Sequence, residues 1–500
     1  MSTGDNGYNG YLSSDANGAK EKGAYYTPDP VVRSLLSWAV RSPEDRLLDP
    51  SCGDGRFIAG HPNSVGIELD TFATSTAMHR APHAMVHESD FFEWASNAGE
   101  RFECAAGNPP FIRYQRFKGV QRQRAIALCA ELGATFSKLT SSWPLFLIVT
   151  AHLLHRGGRM AFVVPAEIGH APYSAPLIEY LTERFDHLQI VAVRKKLFPE
   201  LSEDCWLLYA DGKGGSTAHI KLSALERFTF HEMPPTETTD VCVETWRNSW
   251  NKRLRPFLLP AGARNLYERL ASDENSLRFR EFAQVNIGYV SGANDFFHLR
   301  PSEVKRLHIP NDCLQTTVRN SRSLPPVQVN PSTVSRWLRE DQKTLLLRLR
   351  KEQRLPKSVL DYLRTSQAMK AAKAYKCRTR NPWYVVPDVK IPDFFLTYMS
   401  GRRVSFVQNA ARCACTNSLL AVLLKDKANL SRIHKALRSG VFQFSCEIEG
   451  HPLGGGMLKL EPREAGNILV PSEIVLSEDV KKIAQDGITA LQAWRHYEAA

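Results

Sequence analysis

The stretch Cys104-Ala105-Ala106-Gly107-Asn108-Pro109-Pro110-Phe111 decides how the chain is read. Phe102 to Ala106 is a short apolar run that predicts a buried strand, and Gly107 breaks it. An amide, two prolines and an aromatic follow at the carboxyl end of that strand, the edge where open α/β sheets hold their ligands. Each proline fixes φ and removes a backbone donor, so the carbonyls here point rigidly into whatever lies above. The Asn108 side-chain oxygen and the Pro109 carbonyl can together accept both hydrogens of an exocyclic amine. Phe111 can stack on the ring that carries the amine. A proline-stiffened strand-to-loop turn accounts for the same residues without any chemistry. The surroundings weigh between the two.

Upstream, Leu47-Leu48-Asp49-Pro50-Ser51-Cys52-Gly53-Asp54-Gly55 predicts a short strand entering a loop with two glycines spaced for close backbone approach. It is like the first βα turn of a nucleotide-binding doubly wound sheet, without being GxGxxG. The next strand, Val65-Gly66-Ile67, ends in Glu68, where an acidic residue meets ribose hydroxyls in such folds. A third, Ala84 to His87, leads to Glu88-Ser89-Asp90-Phe91-Phe92. Successive strands thus end in Asp49, Glu68, Asp90 and Asn108 at one edge. A structural carboxylate at one strand end is ordinary; a row of them points to a site.

Before these strands, Thr27 is a fair N-cap and Pro28 a fair first helical residue for an amphipathic helix carrying Val31, Val32, Leu35, Leu36 and Ala39. Helix capping explains that dipeptide by itself. After Phe111 come a helix around Trp143 to His155 with Gly157-Gly158 as its C-cap, and a strand Met160 to Val164 stopped by Pro165. A helix near Ala175 to Phe185 and strands His187 to Val193 and Cys205 to Tyr209 complete the series. Strands alternating with helices predict an α/β fold, a mostly parallel sheet with helices on both faces. His152 and His155 lie one helical turn apart with no third ligand nearby, so no metal site is expected.

Five hundred residues suggest two to four domains, and 43% apolar with 23% charged residues is ordinary for a soluble protein. The net charge of +12 favours a polyanionic partner. Ten cysteines without a CxxC pair, Cys413 and Cys415 being too close for a zinc knuckle, predict reduced thiols and a cytoplasmic location. No signal-peptide pattern opens the chain, and the apolar run Trp143 to Leu154 is too short to span a bilayer. No membrane partner is expected. Residues 1–22, rich in Gly, Asn, Ser and Asp, predict a disordered tail.

Tyr26-Thr27-Pro28, Asp49 to Gly55, Glu68, Asp90-Phe91 and Asn108 to Phe111, in that order, resemble the motifs of S-adenosylmethionine-dependent DNA adenine N6-methyltransferases. The succession is similar to that of the γ class of restriction–modification systems, with the cofactor motif first, the catalytic motif next and the target-recognition domain last. It spans Gly23 to Asp211. A weaker likeness to C-terminal recognition domains runs from Asn286-Ile287-Gly288 to Asn294-Asp295-Phe296-Phe297. It recurs at Asn417-Ser418 and from Gly454 to Pro462.

The resemblance implies a seven-stranded, mostly parallel Rossmann-like methyltransferase sheet over residues 23–225. A connector (226–262), an α+β target-recognition domain (263–475) and a C-terminal helix (476–500) would follow. Thr27 would meet the carboxylate end of S-adenosylmethionine together with the turn Asp49, Pro50, Ser51, Cys52 and Gly53. Glu68 would hold the ribose, Leu69 would pack on the adenine, and Asp90, beside Phe91, would accept from the adenine amine. Asn108 and Pro109, kept in place by Pro110, would hold the target amine, Phe111 would stack on the target base, and Phe198 would supply a second wall. Two departures stand out: Phe111 occupies a place that is often Tyr, and the helix after the first glycine turn, Arg56 to Ala59, is short.

The implied partner is double-stranded DNA, with a separately encoded restriction endonuclease acting on the same site. Basic residues suit that partner. Arg113, Arg116, Lys118, Arg122 and Arg124 follow the Asn-Pro-Pro-Phe edge, and residues 331–380 hold 14 Lys and Arg against 4 Asp and Glu. Within the latter, Lys370, Lys373, Lys376, Arg378 and Arg380 are expected to track phosphates, where neutralisation releases counterions. A solvated helical face is the bland reading of the same charges, and Trp383 suits a core equally well. RNA adenine or protein glutamine methyl transfer would use the same planar-amine edge, but a basic C-terminal half of this size fits them poorly. A non-catalytic DNA-binding protein would not need Asn108 to Phe111 intact. A fused nuclease is not supported, since no PD…(D/E)xK spacing is found.

Overall fold

Short apolar runs that end in polar residues become the strands of a parallel sheet because helices cover both of its faces. The computed structural model describes residues 27–199, 201, 203–426, 428, 430–438, 440–471 and 477–496. The expected tail, and Tyr26, lie outside them. The chain divides into two units, one up to Leu258 and one from Leu259 onward.

The first unit is built on β1 (Leu47–Asp49), β2 (Ser64–Glu68), β3 (Met85–Glu88), β4 (Phe102–Gly107), β5 (Leu154–Pro165), β6 (Phe185–Val193), β7 (Cys205–Lys213), β8 (His219–Leu225) and β9 (Thr239–Cys242). They form one sheet in the order β3-β2-β1-β4-β5-β7-β6-β8-β9. The pairs from β3 to β5 are parallel, and β7 runs antiparallel between β5 and β6. This is the expected α/β methyltransferase sheet, with one correction: nine strands replace seven. After Gly212 and Gly214, both at positive φ, the chain turns into β8, where Ile220 and Leu222 are buried. β8 pairs parallel to β6, and β9 closes on β8. Residues 226–262, expected as a connector, therefore carry a strand of this sheet and the helix Val243–Asn248.

Six helices of this unit matter for the site: α1 (Asp29–Ala39), α2 (Thr71–Arg80), α3 (Phe91–Asn97), α4 (Gly119–Glu131), α5 (Trp143–Leu153) and α6 (Ala175–Thr182). The apolar stripe of α1 packs with Leu47, Cys104, Ala106, Ala161 and Val163 in one core cluster. Phe91 and Phe92 pack on Phe146 of α5. Two local expectations change. Pro28, not Thr27, is the N-cap of α1, and no side chain caps it. Gly157, at φ +78°, lies inside β5 rather than beyond a helix end, beside an irregularity in the β4–β5 register. A glycine is what such a bulge admits.

The second unit is α+β, as expected. Its largest sheet pairs Ala283–Ile287, Leu419–Leu424, Phe394–Thr397, Phe406–Asn409 and Gln328–Val329 in that order. Smaller sheets of four, three and two strands accompany it. The helix Glu478–Trp494 starts at Ser477, whose hydroxyl accepts from Val480 N at 3.3 Å. A Cβ at its Gly487 would collide with the Phe444 ring. Arg495, just past this helix, is buried with Glu447. Its Nε and Nη2 donate to the two carboxylate oxygens at 3.0 and 2.8 Å, and other guanidinium donors reach the Gly456 and Gly401 carbonyls.

Candidate active site

The turn after β1 is held by its own backbone. Cys52 N donates to Ile67 O at 2.9 Å and Gly55 N to Cys52 O at 2.8 Å. A Cβ at Gly66 would stand 2.8 Å from Cys52 Sγ, so β2 needs glycine there to let the turn close. Gly53 has φ +55°, no atom would lie within 4 Å of a Cβ on it, and its N–H reaches Glu68 Oε2 at 2.9 Å. Glu68 Oε1 accepts from Leu69 N and Asp70 N, both at 2.8 Å. Three N–H groups thus orient this carboxylate, and each oxygen retains capacity for a further donor. Asp49 is buried under the turn and accepts from Ser51 N at 3.1 Å. A Cβ at Gly107 would meet its Oδ1 at 2.7 Å, which ties the glycine ending β4 to the carboxylate ending β1. Burial, helped by the charges of Glu68 and Asp54 and opposed by the Ser51 N–H, pushes the Asp49 carboxyl up to about 8.

Asp90 is the N-cap of α3, its Oδ1 accepting from Glu93 N at 2.9 Å. Among the described residues its Oδ2 is buried without a hydrogen-bond partner, as is the Ser51 hydroxyl. A buried acceptor without a donor is costly, so such a group marks a place where a ligand donor belongs. Phe91 is in the core, stacked on Phe146 at 5.3 Å and 10°. Leu69, by contrast, is 59% exposed, and Phe72 beside it on α2 is 80% exposed. Both are apolar residues open to solvent, close behind Glu68 in the chain. The exposure of Phe72 was not legible in the sequence, because only the burial of Thr74 and Ala77 shows which face of α2 looks outward.

At the end of β4, Asn108 Nδ2 donates to Thr27 Oγ1 at 3.2 Å. Thr27 is released from capping α1 and instead orients this carboxamide. Pro109 is buried, and among the described residues no hydrogen bond ends on its carbonyl. Phe111 is half-buried and packs against the cluster that contains α1. Phe198, expected as a second wall of the base pocket, is 1% exposed and sealed inside that cluster; in this structure it presents no wall.

The basic residues separate into two kinds. Arg113 pairs with Glu203 at 2.8 Å, while Arg116 and Lys118 are exposed. Arg122 is spent on the Phe117, Thr140 and Lys138 carbonyls, and Arg124 on Glu93 at 2.9 Å. In the second unit Lys370, Lys373, Lys376 and Arg378 are exposed and make no ion pair among the described residues. Lys376 and Arg378 lie over the ring of Tyr375, 5.8 and 5.4 Å from its centroid, and that ring is 65% exposed. Arg380 turns inward, donating to Val290 O and Ser291 O at 2.6 and 2.7 Å, so its guanidinium clasps a loop rather than facing outward. Trp383 is half-buried and packs against a core cluster, its ring 5.4 Å from that of Phe296. Among the described residues no cluster of three or more His, Cys, Asp or Glu could hold a metal, and no helix is long and apolar enough to cross a membrane.

Fold and edge together define the class of fold: an α/β sheet of the methyltransferase type, with Asp49, Glu68, Asp90 and Asn108 at or just past the carboxyl ends of β1 to β4. Residues 251–492 match the family model of the type II methyltransferase M.Eco57I C-terminal domain. The chain is similar to the type II methyltransferase M.XamI of Xanthomonas campestris pv. amaranthicola, 26% identical over 476 residues, 91% of this chain and 86% of the relative. M.AccI of Acinetobacter calcoaceticus is 17% identical over 476 residues, 89% of this chain and 84% of the relative. The same fold recurs in the solved type IIL restriction-modification enzyme MmeI in complex with DNA, with a TM-score of 0.54 at 11% identity, 92% of this chain and 71% of that one. Over most of its length the chain is thus similar to type II methyltransferases, and its residues 251–492 match the C-terminal domain model of one of them.

Proposed function

We propose that this protein transfers a methyl group from S-adenosylmethionine to the exocyclic N6 of an adenine swung out of duplex DNA, as the modification arm of a restriction–modification system. The observation that carries the reading is the rigid Asn108-Pro109-Pro110-Phe111 edge, in one row with Asp49, Glu68 and Asp90 at the strand ends. The residues suit the cofactor. Glu68 would hold the ribose hydroxyls and Asp90 Oδ2, buried without a donor, the adenine amine. Leu69 and Phe72 would cover the adenine, and Thr27, Ser51 and Gly53 would lie toward the methionine end. When bound, S-adenosylmethionine supplies the electrophilic methyl group.

The target nitrogen is a poor nucleophile because its lone pair is delocalised into the ring. Accepting both of its hydrogens at Asn108 and Pro109 draws it toward a tetrahedral geometry and stabilises the positive charge that grows on it. Extruding the base costs a few kcal/mol. Stacking on Phe111 returns about 1–3 kcal/mol. Arg116, Lys118, Lys370, Lys373, Lys376 and Arg378 would track phosphates. A separately encoded nuclease of the same specificity is the natural partner, and the reaction would take place in the cytoplasm.

The test is single-turnover methylation of duplex DNA. Asn108→Ala is expected to keep its cofactor affinity and to lose about 10²–10³ in rate. Phe111→Ala should show a smaller defect on a mispaired, easily extruded adenine than on a paired one. An Asn108→Ala protein that methylates at the parent rate would reduce the edge to a stiff turn.

A further inference from the structure

A serine at the N-cap of a helix ordinarily spends its hydroxyl on that helix's free N–H groups. Ser142 stands at the N-cap of α5 and does not: no side-chain cap bond is made. Its hydroxyl instead donates to the Pro110 carbonyl and accepts from Ile112 N at 2.9 Å. Its own N–H donates to the Ile112 carbonyl at 3.0 Å. The peptide groups on both sides of Phe111 are therefore tied to one fully buried residue. Prolines restrain the loop from within only as far as Pro110. Beyond it, the direction in which the Phe111 ring leaves the chain depends on where Ile112 is held, and Ser142 holds it.

We propose that Ser142 is a positioning residue, fixing Phe111, and through Pro110 the Pro109 carbonyl, in the attitude that receives the target base. This rests on the catalytic reading of the Asn108–Phe111 edge given above. Without the hydroxyl, Pro110 O and Ile112 N lose their shared partner and the loop tip can shift. A misplacement of about 1 Å remote from the reacting atoms costs on the order of 10²-fold in rate.

The experiment compares Ser142→Ala, Ser142→Cys and Ser142→Thr with Asn108→Ala. Single-turnover rates are measured on paired and mispaired duplexes and normalised to sites titrated with cofactor, so that misfolded protein is not counted. Ala and Cys are expected to lose about ten- to a hundredfold in rate with unchanged cofactor Kd and little change in KM for DNA. Thr, which keeps the hydroxyl, should recover most of the rate. Should Thr pack badly, the Cys variant still decides, being nearly isosteric with Ser but a weak hydrogen bonder. Parent-like rates in Ala and Cys alongside a dead Asn108→Ala would overturn the role of Ser142 alone. Parent-like rates in all of them would overturn the catalytic reading beneath it. A loss of titratable cofactor sites at an unchanged rate per site would mean that Ser142 only stabilises the fold, which also overturns the proposal.

Discussion

Glu68 shows what a single residue can and cannot announce. Its place at a strand end was legible, because a carboxylate after Val65-Gly66-Ile67, ordinary by itself, falls in one row with Asp49, Asp90 and Asn108. That its two oxygens are already aimed by Gly53, Leu69 and Asp70 was not. On the proposed reading, Glu68→Ala removes charge-assisted bonds of about 1.5–3 kcal/mol, so affinity for S-adenosylmethionine should fall roughly tenfold to a hundredfold by calorimetry. An unchanged Kd in folded protein removes Glu68 from the cofactor. Asp49 invites a different test. Its folded-state carboxyl titrates near 8 against an ordinary 3.8. Between those values the unfolded chain has lost a proton that the native state keeps. Stability from this group is therefore greatest below pH 4 and declines as pH rises toward 8, by at most about 1.4 kcal/mol per pH unit. Asp49→Asn should flatten that decline in urea unfolding at pH 5, 6.5 and 8. Parallel curves for parent and variant would show that Asp49 ionises as easily folded as unfolded.

Among elements, strands were easier to read than what joins them. β1, β4 and the second half of β5 announced themselves as apolar runs ended by a breaker, since burial on both faces leaves few other residues tolerable; β3, partly exposed, was read from its place in the series instead. β8 did not: His219 and Lys221 alternate with Ile220 and Leu222, a half-covered strand whose pattern blends into the polar turn before it. The Ser142 clamp was hidden for another reason, since its partners are some thirty positions away in the chain. The same distinction applies to the helix Ser366–Lys373, where composition gave charge but not direction. Ala368 and Ala371 are buried, which leaves Lys370 and Lys373 outward and Tyr375 on the surface just beyond. Replacing Lys370, Lys373 and Lys376 by Ala should weaken specific and random duplexes alike. The slope of log affinity against log salt should flatten by roughly 0.9 for each phosphate no longer neutralised. An unaltered slope in a salt titration would assign these lysines to a solvated face.

For the whole molecule, the order of motifs was enough to foresee an α/β unit followed by an α+β unit. It was not enough to place the division, because β9 and the helix after it carry little sequence signature yet complete the first sheet. In the second unit the buried pair Arg495–Glu447 decides more than its surface-like composition suggests. Arg495→Ala removes the guanidinium from a buried carboxylate, a change that typically costs about 3–5 kcal/mol. Amide hydrogen exchange in the helix Val441–Glu449 should accelerate accordingly. Protection equal to that of the parent protein would show that Glu447 finds another partner. The separation of 48 positions between the two residues also has a consequence for the order of synthesis. At about 5–20 residues per second, a ribosome that has just added Glu447 needs seconds to reach Arg495. Throughout that interval the nascent second unit holds a carboxylate whose guanidinium partner has not yet been made. Its final packing must wait for the guanidinium to leave the exit tunnel, long after the strand ends of the first unit have been free to assemble.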